Sequence, residues 1–488
     1  MKKYLFKIIL FGFLTSFCQK PLPDRVIVVY NRPPRTLDPH LRSEVVTVSV
    51  LSNIYEGLID YTPDLKLTSC LATQWHRIDS LNWEFELRKN VFFHNGKMLN
   101  SEDVIYSLSR PFALAQAEVG RLNHIIDTMY AKNHLKFVIR TRFPYYFLLD
   151  ELNRVYIIPY GYNDFDKPVG TGPYRINSIT EDSIVCVANE EYWGKQPSVK
   201  KGIFRFVQDT KNAIELLKDD SVNIVYGIPA DEYIKLKDNL RFVISSGVSV
   251  RYIQLNTKKF PFNLSLLRQA LSLAINRAEI VDTLYYSLAE PANQFIPRGI
   301  IGYIPDFPSL IYNPDSAKKL LKNTGQRFKI KFYYGKSFKK IGGMIADYWR
   351  RTGMEIKEQE LEPEEFFKGV EKNKFECFLL SFLITSLDGL NGIIEPSFYT
   401  PNPEIGKGIM NRAGYSNPIV DSLINKAMMI EEQEERLELI KEIQQILIND
   451  MPVIPIAWEP RIYGVSKNIK FKPRLDQSIR FAEIGFIK

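Results

Sequence analysis

Residues 83–107 contain Trp83-Glu84-Phe85-Glu86-Leu87-Arg88, then Val91-Phe92-Phe93-His94-Asn95-Gly96, then Glu102-Asp103-Val104-Ile105-Tyr106-Ser107. In the first block Trp83, Phe85 and Leu87 alternate with Glu84, Glu86 and Arg88, the period of two that marks a half-buried strand. Asn95-Gly96 supplies the turn chemistry, because both residue types tolerate a positive φ. Asn100 is placed to cap a helix whose Val104 and Leu108 share a face. Glu102 and Asp103 fall in its first turn, where the helix dipole favours negative charge. The local order is strand, turn, helix.

The same mixture extends outward in both directions. Toward the N-terminus, a linker containing Pro21 and Pro23 precedes Val26-Ile27-Val28-Val29, an apolar run suited to a buried strand. Toward the C-terminus, Leu267, Ala270, Leu271 and Ala274 fall at i, i+3, i+4 and i+7, an amphipathic helix with Arg268 on another face. Asp315 or Ser316 is expected to cap a second helix carrying Ala317, Leu320 and Leu321, with Gly325 placed to end it. Leu423, Ile424 and Ala427, then Leu437, Ile440, Ile443 and Leu447, mark either a helix pair or one long helix, stopped at Met451-Pro452. Interspersed strands and helices indicate α/β or α+β layers. No internal repeat or low-complexity segment interrupts them.

The chain has 488 residues, 45% hydrophobic and 25% charged, the balance of a soluble globular protein. At about 150 residues per domain this length suits roughly three structural units. Lys2 and Lys3, the apolar stretch from Tyr4 to Phe17 and then Cys18 read as a signal peptide, expected to send the mature chain out of the cytoplasm. A transmembrane helix needs about 20 apolar residues, and this segment is shorter. Cys18 resembles the lipidation site of bacterial lipoproteins, although Phe17 stands where a small residue is usual. Ordinary secretion with cleavage nearby is the alternative. Stable anchoring there would need several acyl chains, since one holds a protein weakly.

Net charge is +8, or +5 once Lys2, Lys3 and Lys7 leave with the signal. Lysine pairs such as Lys258-Lys259, Lys318-Lys319 and Lys339-Lys340 are dispersed, which disfavours nucleic acid as a partner. Cys70, Cys186 and Cys377 form an odd, widely spaced set, better suited to buried apolar positions than to a disulfide framework.

Catalytic signals are lacking. The five histidines, His40, His76, His94, His124 and His134, have no close helical spacing of a zinc site, so no metal or cofactor is expected. His94 reads as a turn residue satisfied by local hydrogen bonds. No nucleophile elbow or phosphate loop occurs, and Gly170-Thr171-Gly172 runs into Pro173-Tyr174, which blocks the helix a phosphate cradle requires. A carboxylate pair of glycosidase type has no positive support. The 26 tyrosines and 13% aromatic content suit small-molecule or peptide pockets, and core packing accounts for most of them.

Thr36-Leu37-Asp38-Pro39, Ile54-Tyr55-Glu56-Gly57-Leu58 and Leu71-Ala72-Thr73-Gln74-Trp75 precede the opening block. Gly170-Thr171-Gly172-Pro173-Tyr174, Leu255-Asn256-Thr257, Arg268-Gln269-Ala270-Leu271, Ile275-Asn276-Arg277 and Tyr312-Asn313-Pro314 follow it. In this order and spacing the chain resembles the peptide/nickel-binding family (family 5) of ABC-transporter solute-binding proteins, which includes oligopeptide- and dipeptide-binding members.

The resemblance implies an α/β type II periplasmic-binding-protein fold, with two main lobes joined by a hinge and an extra third domain. Lobe I is expected over 25–55, 166–250 and 460–488, the extra domain over 56–165, and lobe II over 251–459, after a signal peptide at 1–17 and a linker at 18–24. It further implies a non-enzymatic, monomeric protein that captures a peptide or other small solute and delivers it to ABC permease subunits, touching the membrane only through Cys18. Peptide-binding members carry a Trp and then an Asp that pairs with the ligand's amino group; here Phe382 and Thr385 stand at those positions. Asp388, three residues on, is the candidate substitute. Tyr106 corresponds to a cleft tyrosine of such members, and Tyr30, Asn31, Arg251 and Tyr252 are further candidates at ends of expected strands. Thr385 can hydrogen-bond an ammonium group but cannot neutralise it, so modified peptides, oligosaccharides and metal chelates stay open as solutes. Two readings of other kinds stand beside this one: a secreted hydrolase acting on peptides or sugars, and a surface adhesin of the same fold.

Overall fold

The computed structural model describes residues 24–41, 44–114, 121–383 and 386–487. The signal segment, Cys18 and Thr385 lie outside the described residues.

The apolar run near the N-terminus forms the strand Arg25–Tyr30, flanked in parallel by Lys201–Phe206 and Ile224–Tyr226. A strand with parallel neighbours on both sides is covered on both faces, which is why its sequence is almost continuously apolar. It belongs to an 11-stranded sheet. From one edge the order is Glu355–Leu361, Lys329–Gly335, Cys377–Leu383, Phe242–Leu255, Val453–Val465, Ile224–Tyr226, Arg25–Tyr30, Lys201–Phe206, Ser183–Ala188 and Tyr174–Ile179, with Glu290–Pro291 attached to Val453–Val465.

Two of these strands are far longer than the rest, 14 residues in Phe242–Leu255 and 13 in Val453–Val465. They run antiparallel and join two halves of the sheet, here called lobe I and lobe II. Phe242–Ser245 pairs with Arg461–Gly464 on the lobe I side, and Ser249–Gln254 with Val453–Glu459 on the lobe II side, with a register shift between Ser245 and Ser249. A shift of this kind bends a strand and raises its local twist, so the lobes meet at a built-in bend.

A separate antiparallel sheet, ordered Ala72–Arg77, Asn82–Leu87, Lys136–Thr141, Ile126–Asn133, forms the extra domain. Its strand Asn82–Leu87 buries Trp83, Phe85 and Leu87, as the alternation predicts. Phe85 lies opposite Phe137 with their rings stacked at 5.2 Å. Asn100 caps the helix Ser101–Ser109 by accepting from the Glu102 and Asp103 amides, while the Asp103 carboxylate accepts from the Asn100 amide at 3.0 Å, a complete capping box.

Elsewhere the structure adjusts local expectations. The helix Pro314–Asn323 is capped by Asn313, not by Asp315 or Ser316, because Pro314 occupies the first helical turn and needs no amide partner there. The C-terminal apolar periodicity resolves into two helices, Pro418–Met428 and Gln433–Asp450, the second closed by Met451 in the left-handed region (φ 49°). Cys70, Cys186 and Cys377 are each buried and unpaired.

Lobe I and lobe II each have their own apolar core. A further continuous cluster runs from Phe85, Phe137 and Leu148 of the extra domain to Phe295, Phe398 and Leu447 of lobe II. The extra domain and lobe II are therefore packed against one another.

Candidate functional site

The most recognisable sequence blocks converge on the junction between lobe I and the extra domain. His94 hydrogen-bonds the Gly172 carbonyl through Nε2 at 3.0 Å, and its amide donates to the Gly170 carbonyl at 2.9 Å. Its partners lie far along the chain, not in the local turn. Burial pushes the imidazole down to about 4, so it stays neutral. Gly170 and Gly172 are required by close approach: a Cβ there would fall 2.1 and 2.6 Å from the Ile54 carbonyl oxygen. Glu56 is buried and accepts from Thr171 Oγ1, Tyr192 Oη and Trp193 Nε1, each at 2.8 Å. Burial raises its carboxyl to about 7 against the pull of these three donors.

The candidate lining residues divide. Tyr30 is fully buried, with its hydroxyl donated to Ser49 at 2.7 Å and its ring 4.9 Å from Tyr226; it belongs to the lobe I core and corrects the expectation of a lining role. Tyr252 is likewise buried, on the lobe II side. Asp388 is buried against Arg436 Nη2 at 3.0 Å and also accepts from the Leu390 amide at 2.9 Å. Its charge is already neutralised, which corrects its reading as a free amine receptor. Tyr106 is half-buried against Tyr160, their ring centroids 5.1 Å apart. Asn31 is exposed just beyond the strand Arg25–Tyr30, and Phe382 is half-buried near the end of Cys377–Leu383.

Arg251 occupies the crossing of the two long strands. Its Nε and Nη2 reach the Glu459 carboxylate at 2.7–3.1 Å, its guanidinium lies 3.9 Å over the Phe338 ring, and the buried Nη1 has no hydrogen-bond partner among the described residues. Glu459 also accepts from Tyr285 Oη and from Ser381 Oγ, the latter at 2.7 Å. Burial alone would raise this carboxyl, but the Arg251 charge and these donors hold it below the usual range.

Two residues along, Arg461 is half-buried over Tyr226 at 5.1 Å and donates Nε to Gln477 Oε1 at 3.0 Å. The same oxygen accepts from Tyr226 Oη at 2.8 Å, and Gln477 Nε2 donates to Ser249 Oγ at 3.1 Å. Gln477 holds a positive φ of 62°. A non-glycine residue there costs on the order of 1–3 kcal/mol and persists only when its surroundings over-determine it. Arg32 pairs with Glu44 beside this group, and Arg35 of lobe I approaches the Phe367 ring of lobe II to 6.0 Å. Tyr226 and Arg32 lie at or just beyond the carboxyl ends of lobe I strands, where open α/β sheets place their ligands.

A second contact closes the far side. Arg121 of the extra domain is buried between Glu151 of its own domain (3.7 Å) and Glu395 of lobe II (3.2 Å), and donates to Tyr145 Oη at 3.0 Å. Tyr145 Oη and Asn391 Oδ1 lie 3.2 Å apart, and Asn391 Nδ2 donates to Glu151 Oε1 at 3.1 Å. Among the described residues, Arg121 Nε and Glu151 Oε2 have no hydrogen-bond partner. Nearby, burial pushes the Asp150 carboxyl up to about 6, opposed by a hydrogen bond from Tyr61 and reinforced by the charges of Asp388 and Glu151.

The crossing-strand group was missed by sequence reasoning except at Arg251. Its one available signal is charge within an apolar strand: Glu459 and Arg461 interrupt an otherwise buried run, and buried charge needs a partner. Among the described residues no cluster of His, Cys, Asp and Glu is arranged to hold a metal ion.

Residues 66–404 match the family described as bacterial extracellular solute-binding proteins, family 5 Middle. The chain is 26% identical over 465 residues to the glutathione-binding protein GsiB of Pectobacterium atrosepticum, covering 89% of this chain and 88% of that one. It is 25% identical over 484 residues to the dipeptide-binding protein of Escherichia coli, covering 90% of each. Its fold superposes with a TM-score of 0.84 and 22% identity on the ABC transporter-associated periplasmic binding protein DppA of Helicobacter pylori in complex with the peptide STSA, across 95% of this chain and 98% of that one.

Proposed function

Because the chain belongs to family 5 of the bacterial extracellular solute-binding proteins, a family of binding proteins and not of enzymes, we propose that it captures a peptide or comparable small solute between its lobes and hands it to the permease subunits of an ABC importer. The observation that carries this reading is the pair of long strands that join the two halves of the sheet and shift register where they cross. Two lobes tied by a bent strand pair close over a ligand when contacts to both are available only in the closed state.

The buried group around Arg121 fits such motion. An ion pair taken out of water yields little net stability when its hydrogen bonds are incomplete, so the contact between the extra domain and lobe II orients closure without locking it. Peptide as the solute class is supported by the relatives described as dipeptide- and glutathione-binding. Of the eight candidate lining residues, Arg251, Asn31, Phe382 and Tyr106 retain exposure or an unused polar group consistent with a lining role, and Thr385 is proposed beside them.

Export and a lipid anchor at Cys18 complete the proposal, with the mature chain acting as a monomer in the periplasm or cell envelope. No helix among the described residues is long and apolar enough to cross a membrane. Native mass spectrometry of the mature chain, looking for co-purified solute, tests the reading. Bound short peptides are expected; one defined non-peptide mass would overturn the peptide class, and steady product release from peptides or sugars would overturn the binding role. Incorporation of labelled fatty acid that Cys18→Ala abolishes tests the anchor.

A further inference from the structure

The crossing-strand floor holds more positive charge than its carboxylates neutralise. Arg32, Arg251 and Arg461 approach it, against Glu44 and Glu459. Both carboxylates are committed. Glu44 serves Arg32, Thr47 Oγ1 at 2.7 Å and the Arg35 amide, and Glu459 serves Arg251, Tyr285 and Ser381. The neighbouring lysines are matched, Lys336 with Glu362 and Lys340 with Asp231. One positive charge is left over.

Arg461 carries it. Among the described residues no carboxylate lies within ion-pair distance of its guanidinium, and only Nε has a hydrogen-bond acceptor. One face rests on Tyr226, which leaves the outer edge of the guanidinium free. Across from Nη1 the chain turns at Gly227 (φ 77°), where a Cβ would come within 3.7 Å, so the residue that lies there has no side chain to cover it. The cluster is compact. Arg461 and Arg32 both act on the Tyr226 hydroxyl, which burial pushes up, and Arg461 feels the charges of both Glu459 and Arg251. Gln477, in its strained conformation, fixes the Arg461 Nε through an oxygen shared with Tyr226 and is itself tied to Ser249 at the register shift.

A guanidinium held by Nε and one ring face presents its remaining N–H groups in a fixed fork, the geometry that accepts a planar oxyanion bidentately. Excess buried positive charge with unused donors is costly until such a group arrives. Resting on the solute-capture reading, we infer that the solute carries a carboxylate that docks on Arg461, with the unpartnered Nη1 of Arg251 as a second donor, and that this anionic end determines specificity. The preferred solutes are therefore acidic peptides or peptide-like polyacids. The group tying the carboxylate lies at the crossing of the long strands, so occupancy couples the charged end of the solute to the bend.

The test is calorimetric titration of the full mature chain with di- and tripeptides in matched sets: free acid or C-terminal amide, each with acidic or neutral side chains. Peptides bearing carboxylates are expected to bind about 10- to 100-fold tighter than the amidated, neutral-side-chain counterparts. Loss of the preference on amidation alone locates the docking group at the C-terminus, and its retention by acidic side chains locates it there; either supports the inference. Arg461→Gln is expected to remove the preference for peptides bearing carboxylates, and Arg461→Lys to restore part of it, since lysine keeps the charge but loses the fork. Equal affinity for acids and amides in the wild-type chain, or an equal loss for both in Arg461→Gln, overturns the inference while leaving solute capture intact. Absence of binding by every peptide contradicts peptide capture itself and the inference with it.

Discussion

Arg251 and Glu459 show what a charged pair does at the crossing of two strands. Both are nearly buried, and the bidentate contact is completed by Tyr285 and Ser381, so each charge is compensated only while the other is present. Glu459→Gln removes that compensation and strands the guanidinium in a low-dielectric site. A loss of about 3–5 kcal/mol is expected, checked by denaturant unfolding; a loss below about 1 kcal/mol, the scale of an exposed pair, would show that the site is wetter than its burial indicates. Glu56 and Asp150 act in the opposite direction, because burial raises them to about 7 and about 6. A carboxyl with a folded value above its unfolded one binds more protons when folded. Its stabilising contribution is full below the unfolded value and is lost as pH rises through the folded one. Buried His94, held down to about 4, contributes in the opposite sense up to its unfolded value of about 6.5, so the melting temperature is expected to fall between about pH 6.5 and about pH 8 as Glu56 ionises, followed by scanning calorimetry. A rise over that window would contradict the raised Glu56 value.

At the level of elements, the opening block is explained by its alternation and its cap. Asn100 satisfies two amides at the start of Ser101–Ser109 while Asp103 closes the box, so Asn100→Ala is expected to cost about 1 kcal/mol, measurable as a lower unfolding midpoint with an unchanged denaturant slope. A neutral substitution would mean that tertiary packing alone holds the helix. Secondary structure was legible here because strand 82–87 and its helix obey local rules. The cap of Pro314–Asn323 was misplaced by two or three residues because Pro314 moves the first turn toward Asn313. The floor of the crossing strands was not legible for a different reason. Glu459, Arg461 and Gln477 acquire meaning only from neighbours in other parts of the chain, Arg251, Tyr226 and Ser249, and no local period encodes those meetings. The motif residues His94, Gly170, Gly172 and Glu56 were conspicuous, yet they build the junction of lobe I with the extra domain. These motif residues track backbone crowding at a junction.

For the whole molecule, among the described residues, two strands form the only sheet connection between the lobes, while a buried, partly unsatisfied polar group joins the extra domain to lobe II. The bend supplies freedom and the far contact supplies direction. Replacing Arg121 by Met, which keeps most of the side-chain length, leaves Glu151 and Glu395 facing each other without their shared cation. It is expected to shift the unliganded chain toward the open form, seen as a larger radius of gyration in solution scattering; an unchanged or smaller radius would show that the contact does not direct closure. The most direct measurement is small-angle scattering on the mature chain before and after addition of an acidic tripeptide, with the melting temperature followed in parallel. Solute is expected to decrease the radius of gyration and raise the melting temperature together, as binding to a closed state requires. A scattering curve and a melting temperature that both stay unchanged at saturating peptide would contradict capture between hinged lobes.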